Sequence, residues 1–246
     1  MKRLLFAASC VLVCSSIVAA QSSDDYHHTE FYGGYSHARV DSNVQGITIT
    51  GFPVNFAPCT AQGASFLGAN FQEFYCTRRG YQGFDASVTH NFTRYVGIKG
   101  DVTGHFKNQT FVDNFPDRTD TVETRGRIFN FLAGVQIKNN SRSARFKPFV
   151  HALVGVAHHR VESKNISTLN SNNFTFTDTL NSFAMKLGGG IDIRVSPKID
   201  LRIIEFDYNP AFAGDRSTSV TLVPPTPPFS FSYTGKARTP SRSGLA

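Results

Sequence analysis

The sequence contains no tryptophan and only two methionines, whereas phenylalanine supplies 23 of its aromatic residues. Long helical patterns are missing too: no extended stretch places apolar residues at i, i+3, i+4 and i+7, and apolar and polar residues alternate instead. Past residue 20, no apolar run reaches the length of a transmembrane helix. These absences predict a chain built from β-strands, which can enter a membrane only as strands.

Charged residues are scarce as well. They supply 17% of the residues, whereas hydrophobic residues supply 40%. The length of 246 residues allows one all-β domain or two small domains. Removing Lys2 and Arg3 with the N-terminal segment lowers the formal net charge from +7 to +5. An excess this small and dispersed suits contact with anionic lipid headgroups, and it gives no basis for nucleic-acid binding.

Residues 1–20 have the features of a secretory signal peptide. Two basic residues precede an apolar segment from Leu4 to Ile17, and small residues follow it, so we predict cleavage between Ala20 and Gln21. An uncleaved membrane anchor is the alternative, but the apolar run is short for a span. The remaining chain, 21–246, is expected to be exported as one barrel domain.

Two cysteines, Cys59 and Cys76, lie beyond the signal segment in a polar, glycine-rich region. In an oxidising compartment such a pair is expected to form a disulfide. A bridge that closes about 17 residues would stabilise the fold by roughly 3 kcal/mol in the loop-entropy model. Free thiols or a metal pair are the alternatives, although a metal site needs two more ligands and no histidine lies between Val40 and Gly80.

The clearest strand pattern runs from Tyr81 to Phe106. It predicts a hairpin whose strands carry apolar residues on one face and polar or charged residues on the other, joined by the turn 91–94. Similar alternation predicts further strands at 29–40, 125–138, 147–160, 182–195 and 199–208, and an eighth that begins at Phe229. A change of phase at Ile203 and Ile204 predicts a β-bulge.

The predicted connections alternate in length. Long polar connections are expected at 41–80, 107–123, 162–181 and 209–228, and short turns between the other strands. An up-and-down barrel in an outer membrane has long loops on one side and tight turns on the other. The order of long and short connections therefore favours eight antiparallel strands with both termini on the side of the tight turns.

The apolar face can point to lipid or to a soluble core. The polar faces are rich in Gly, Ser, Thr and Asn and poor in charge, which is unusual for a solvated surface. Aromatic residues cluster near the predicted strand ends, as in the girdles of membrane barrels: Tyr81, Phe92, Tyr95, Phe106, Phe129, Phe149 and Tyr208. We therefore predict an all-β, eight-stranded antiparallel up-and-down transmembrane β-barrel, with a soluble exported lipid-binding barrel as the alternative.

In the membrane arrangement, charges of both signs face a narrow lumen. The predicted lumen charge network comprises Asp85, Lys99, Asp101, Lys186, Asp192 and Arg194, with Arg202, Glu205 and Asp207 in the same part of the chain. Eight strands leave an interior that side chains just fill, so these charges are expected to form a salt-bridged plug. Their rearrangement into a small pore is the alternative.

Several segments together resemble the small outer-membrane β-barrels of Gram-negative bacteria, the OmpA-like or OmpX-like eight-stranded type. The resemblance lies in Glu30–Ser36, Gly83–Gly100, Phe131–Val135, Pro148–Gly155 and Leu187–Asp192. It implies a location in the bacterial outer membrane, contact with outer-membrane lipids and assembly by the barrel-assembly machinery. The segment 229–246 departs from the family, because it is basic, contains Pro240 and does not end in an aromatic residue.

Candidate catalytic groups are few. Adjacent histidines at 27–28 and 158–159 point to opposite faces of a strand, so neither pair readily chelates one metal ion. His105 and His151 fall on interior faces, but no spacing singles them out as members of a hydrolytic site. The glycines 188–190 lie within a strand, where they are expected to relieve crowding.

The sequence therefore predicts a non-enzymatic outer-membrane barrel without catalytic residues, cofactor or metal. It would have a structural role or present its loops to an extracellular ligand, and it would not bind nucleic acid. A narrow pore or transport barrel is the alternative function.

Overall fold

A computed structural model of the chain describes residues 25–40, 46–50, 55–56, 59–61, 65, 68–169, 174–212, 216–221, 230–235 and 238–244. The predicted signal segment, with its cleavage site between Ala20 and Gln21, lies outside the described residues. Eight antiparallel strands form a closed barrel in the order β1-β12-β9-β8-β7-β6-β5-β4. They are β1 (Thr29–Val40), β4 (Arg79–Asn91), β5 (Val96–Asn114), β6 (Thr119–Lys138), β7 (Phe146–Ser167), β8 (Phe174–Ser196), β9 (Ile199–Phe212) and β12 (Arg238–Gly244).

The two faces of the barrel wall confirm the membrane arrangement. Val88 and Ile98 point outwards and are 45% and 51% exposed, whereas Asp85, Lys99 and Asp101 point inwards and are at most 5% exposed. A soluble barrel would bury the first set and expose the second. An apolar exterior around a charged interior is stable only where the exterior meets lipid, so the soluble alternative is wrong.

Four strands are much longer than expected. β5 to β8 contain 19, 20, 22 and 23 residues, and about 10 residues suffice to cross a membrane as a tilted strand. The predicted long connections 107–123 and 162–181 are therefore wrong, because the strands pair through most of both: β5 ends at Asn114 and β6 begins at Thr119, while β7 ends at Ser167 and β8 begins at Phe174. Threonine, which is frequent in these segments, favours strands, and the pairing continues through them.

The eighth strand also lies elsewhere than expected. Residues Ser230–Gly235 form β11, which belongs to a separate four-stranded sheet in the order β10-β11-β2-β3. The other members of this sheet are β2 (Gly46–Thr50), β3 (Asn55–Phe56) and β10 (Arg216–Thr221). The barrel strand is β12, from the basic segment, which pairs with β9 and meets β1 at Ala38 and Arg39.

A short helix lies among the strands, whereas we expected no helix. α1 (Ala69–Cys76) begins after Gly68, whose φ of +93° favours glycine, and ends at the disulfide that joins Cys76 to Cys59. The Asp113 carboxylate accepts a hydrogen bond of 3.1 Å from the Asn70 backbone and ties the helix to β5. The predicted disulfide is therefore present, and no helix in the described part of the chain is long and apolar enough to span a membrane.

The bulge in β9 is confirmed, because the pairing with β8 shifts register and leaves Ile203 without an opposite residue.

The predicted girdle of aromatic side chains is only partly confirmed. Phe92, Tyr95, Phe106 and Tyr208 are exposed on the outside, but Tyr81 and Phe149 are each 3% exposed and point inwards. Both occupy inward positions of the alternation, which overrides their place near a strand end.

Candidate functional site: the charged interior of the barrel

Lys186 lies at the centre of the interior. Its ammonium group, on β8, is 2.7 Å from the Asp101 carboxylate on β5, 3.1 Å from Asp85 on β4 and 3.6 Å from Asp207 on β9. Each of these positions has inward phase on its own strand, so the closed sheet brings residues more than 80 positions apart into contact. A buried ammonium ion held by three carboxylates ties four strands together.

A second lysine extends the cluster. The Lys99 ammonium group lies 3.3 Å from Asp101 and 3.6 Å from Glu205, and its side chain is fully buried. His151 lies beside the same groups, with Nε2 3.0 Å from Asp207 and Nδ1 3.7 Å from Glu205. The lysines and carboxylates thus alternate in space, as a buried ionic network requires.

Arg202 links this cluster to a second one nearer the tight turns. Its guanidinium group donates to Glu205 at 2.8 Å and to Asp192 at 2.8 Å. The same group stacks over the rings of Tyr32 and Phe149, 3.8 and 4.2 Å from their centroids. The inward Phe149 therefore serves as a platform for the arginine.

Lys138 and Lys147 complete the second cluster. Lys138 on β6 donates to Glu30 on β1 at 2.6 Å and lies 2.8 Å from Asp192, while Lys147 donates to Asp200 at 2.6 Å. Because Lys138 contacts both β1 and β8, its ion pairs cross the lumen instead of following one strand pair.

The structure places the six predicted network residues in one interior, although they divide between two clusters. Asp85, Lys99, Asp101 and Lys186 share the central cluster, Asp192 lies in the second, and Arg194 contacts Asp200 at 3.7 Å near the turn. Five further members of the network were not predicted from the sequence: Glu30, Lys138, Lys147, His151 and Asp200. Lys138 shares the inward phase of Asn130 and Gln136, so the alternation of β6 could have identified it.

The glycines 188–190 face crowded space, as expected. A Cβ atom built at Gly188 would meet the Asp207 carboxylate, and one at Gly190 would meet the backbone of Ile204 and the ring of Phe149. These glycines therefore leave room for the ionic network and for close approach of β9.

Two arrangements bring together side chains that could carry chemistry. His105 Nε2 and Ser36 Oγ are 3.0 Å apart, but the adjoining cavity of about 20 Å³ holds roughly one water molecule. His151, Glu205 and Asp207 bring possible metal ligands within 4.8 Å of one another. The two lysine ammonium groups, 3.6 Å from these carboxylates, already supply the positive charge there.

A closed antiparallel barrel with an apolar exterior and an ion-paired interior defines a transmembrane β-barrel. The family model for the outer membrane protein β-barrel domain matches residues 6–222, and the chain belongs to this family. It is accordingly a protein of the bacterial outer membrane, and the family resemblance seen in the sequence is confirmed. No curated protein matches the sequence.

Two solved structures are similar to the chain. Both are crystal structures of Ail, the attachment invasion locus protein of Yersinia pestis, one of them in complex with the heparin analogue sucrose octasulfate. Each is 10% identical to this chain; the TM-scores are 0.34 and 0.37. The alignments cover 87% and 88% of this chain and 96% and 99% of the Ail chains.

Proposed function

We propose that the protein is a non-enzymatic outer-membrane barrel whose lumen is closed by its ionic network and whose extended strands are presented outside the cell to bind an extracellular ligand. The length of β5 to β8 carries this proposal. About half of each strand exceeds what a membrane crossing needs. Because pairing persists through these segments, they form a rigid ladder outside the lipid.

The interior supports a closed lumen. Lys99, Lys147 and Lys186 are among the largest fully buried side chains of the described residues. A conducting pore would require water around these ammonium groups, whereas each has carboxylate partners within 3.6 Å. The network therefore acts as a plug in this proposal, and the pore is the competing function.

Heating and conductance distinguish the two functions. The purified barrel is expected to remain folded in SDS without boiling, because a closed sheet has no unpaired edge strand at which unfolding can begin. Boiling is expected to unfold it and to change its electrophoretic mobility. In planar bilayers the same preparation is expected to show no steady ion conductance. A steady conductance from the SDS-resistant form would replace the plug with the pore.

Epitope insertion tests which end of the barrel faces outwards. A tag in the 115–118 turn is expected to bind antibody on intact cells, because this turn lies at the tip of the extended β5–β6 pair. The matched control places the same tag in the 197–198 turn between β8 and β9, which should bind antibody only after the cells are opened. Labelling of the control tag alone on intact cells would reverse the orientation.

A further inference from the structure

The segment before β1 forms a strap at the tight-turn end of the barrel. This strap, Asp25–His28, is bound to the turn between β6 and β7. The Asp25 carbonyl accepts a hydrogen bond of 2.9 Å from the Arg142 backbone, and Tyr26 pairs with Ser141 as an isolated antiparallel bridge. Ser141 is completely buried although it lies in a turn. The turn is therefore covered by the strap.

The strap also holds the end of β4. The His27 carbonyl accepts hydrogen bonds of 2.8 Å from the side-chain amides of Asn91 and Asn140, and the His28 carbonyl accepts one of 2.7 Å from the Asn91 backbone. Asn91 ends β4, whereas Asn140 follows β6. Because β5 lies between these two strands, the strap passes over the end of the lumen and closes the mouth beside the second ionic cluster.

His27 is the titratable group in the middle of the strap. Burial lowers its pKa, and so do the nearby cations of Lys147 on β7, Arg142 in the turn and Arg194 on β8. The Glu30 carboxylate on β1 acts in the opposite direction, although it is shared with the Lys138 ammonium group, 2.6 Å away. A positive charge on His27 is therefore unfavourable while the strap is bound.

We propose that the strap is an acid-released closure of the tight-turn mouth, in which protonation of His27 beside Lys147, Arg142 and Arg194 detaches the strap from the barrel. Binding of the strap is favoured above the ordinary histidine pKa near 6.5 and is lost as the pH falls below it, since the pKa is lower in the bound state.

Release of the strap reaches the second ionic cluster through Asn91. Its side-chain amide donates to His27 and also to the Glu30 carboxylate, 2.9 Å away. When the strap detaches, Asn91 loses one of these acceptors, and water enters beside Glu30 and Lys138. The inference depends neither on the proposed ligand nor on which end of the barrel faces outwards.

Hydrogen exchange at the strap's own hydrogen bonds tests the proposal. The backbone amides of Asn91 and Arg142 donate to strap carbonyls, whereas those of Lys138 and Arg194 donate to other carbonyls at the same end of the barrel, each at 2.9 Å. Exchange is measured by NMR in detergent micelles and corrected for its intrinsic pH dependence. Between pH 7.5 and pH 5.5 the protection of Asn91 and Arg142 should fall several-fold, and that of Lys138 and Arg194 should stay constant.

Three variants identify the group responsible. His27→Gln keeps a polar side chain that cannot become charged, so both amides should stay protected at pH 5.5. His28→Gln is the matched control, because His28 belongs to the same strap and its ring lies against Tyr26, with 4.8 Å between the centroids; the pH dependence should persist. Arg142→Gln leaves the backbone donor in place and removes one neighbouring cation, which should shift release to lower pH.

Constant protection of Asn91 and Arg142 down to pH 5.5 in the wild type would refute acid release. A loss that persists in His27→Gln would assign the effect to another group, and a loss shared by Lys138 and Arg194 would indicate general loosening of the turns; either result overturns the proposal. Thiol labelling of Ser141→Cys, normalised to the unfolded protein at each pH, should rise at acid pH unless His27→Gln is also present. Labelling that does not rise would mean that the mouth stays closed.

Discussion

Replacing Lys186 with methionine is the most direct test of the central ionic cluster. Methionine keeps the length of the side chain and removes the ammonium group, so the carboxylates of Asp85, Asp101 and Asp207 lose the cation that lies 2.7 to 3.6 Å from them. Removal of one partner from a buried ionic group costs about 3–5 kcal/mol, since the remaining charges are left uncompensated. We expect the free energy of unfolding to fall by about this amount.

The assay is urea unfolding in lipid vesicles, followed by the fraction of protein that resists SDS without boiling. Lys164→Met is the matched control, because Lys164 is an exposed lysine on the outer face of β7, and it should change the free energy of unfolding by less than about 0.5 kcal/mol. Adding Asp101→Asn to Lys186→Met should restore part of the loss, since one uncompensated carboxylate becomes neutral. The two substitutions are thus expected to be non-additive.

An unchanged or increased free energy of unfolding in Lys186→Met would refute the reasoning. It would mean that desolvation of the four charged groups already cancels their attraction in the folded state. Full additivity of Lys186→Met and Asp101→Asn would be equally damaging, because the 2.7 Å contact between these groups would then carry no coupling energy.

Two further perturbations concern the ends of the barrel. Replacing both Cys59 and Cys76 by serine should lower the free energy of unfolding by up to roughly 3 kcal/mol. Proteolysis of the chain before β4 should become faster, while the barrel remains resistant to SDS. An unchanged rate of proteolysis would contradict a structural role for the disulfide. Burial and the nearby Lys147 lower the pKa of His27, which is on the tight-turn side. The folded state therefore favours neutral His27, so stability should fall as pH drops through its ordinary pKa near 6.5, and His27→Gln should remove that part of the pH dependence measured by unfolding.

Alternation alone predicted the features that depend on one strand. The outward apolar residues of the Tyr81–Phe106 hairpin, the bulge at Ile203 and the strand β1 over Thr29–Val40 follow from a period of two. The sequence also predicted that the apolar face contacts lipid, because the polar face carries too little charge for a solvated surface. A lipid-facing exterior and an interior with both signs of charge are therefore properties of the sequence.

Strand ends were harder to predict, because a polar ladder outside the membrane and a polar loop have similar composition. The residues 107–114 and 162–167 read as loop, and they form strand because β5 to β8 are already aligned below them and pairing continues at little further entropic cost. For the same reason we predicted a barrel strand that begins at Phe229, although the following residues Ser230–Gly235 pair with β2 and β10. The alternation of apolar and polar residues in one segment predicts a strand, but it does not determine which other strand pairs with it.

The sequence by itself determined which side chains face the interior, since the phase of each strand is a local property. Only the tertiary structure decided which of them meet. Lys138 and Glu30 are 108 positions apart and Lys186 and Asp85 are 101 apart, and both contacts exist because the closed sheet brings distant strands across one narrow lumen. Arg127 and Arg160 are directly opposite each other because of the register of β6 against β7. A shift of that register by one residue would place a different residue opposite each arginine.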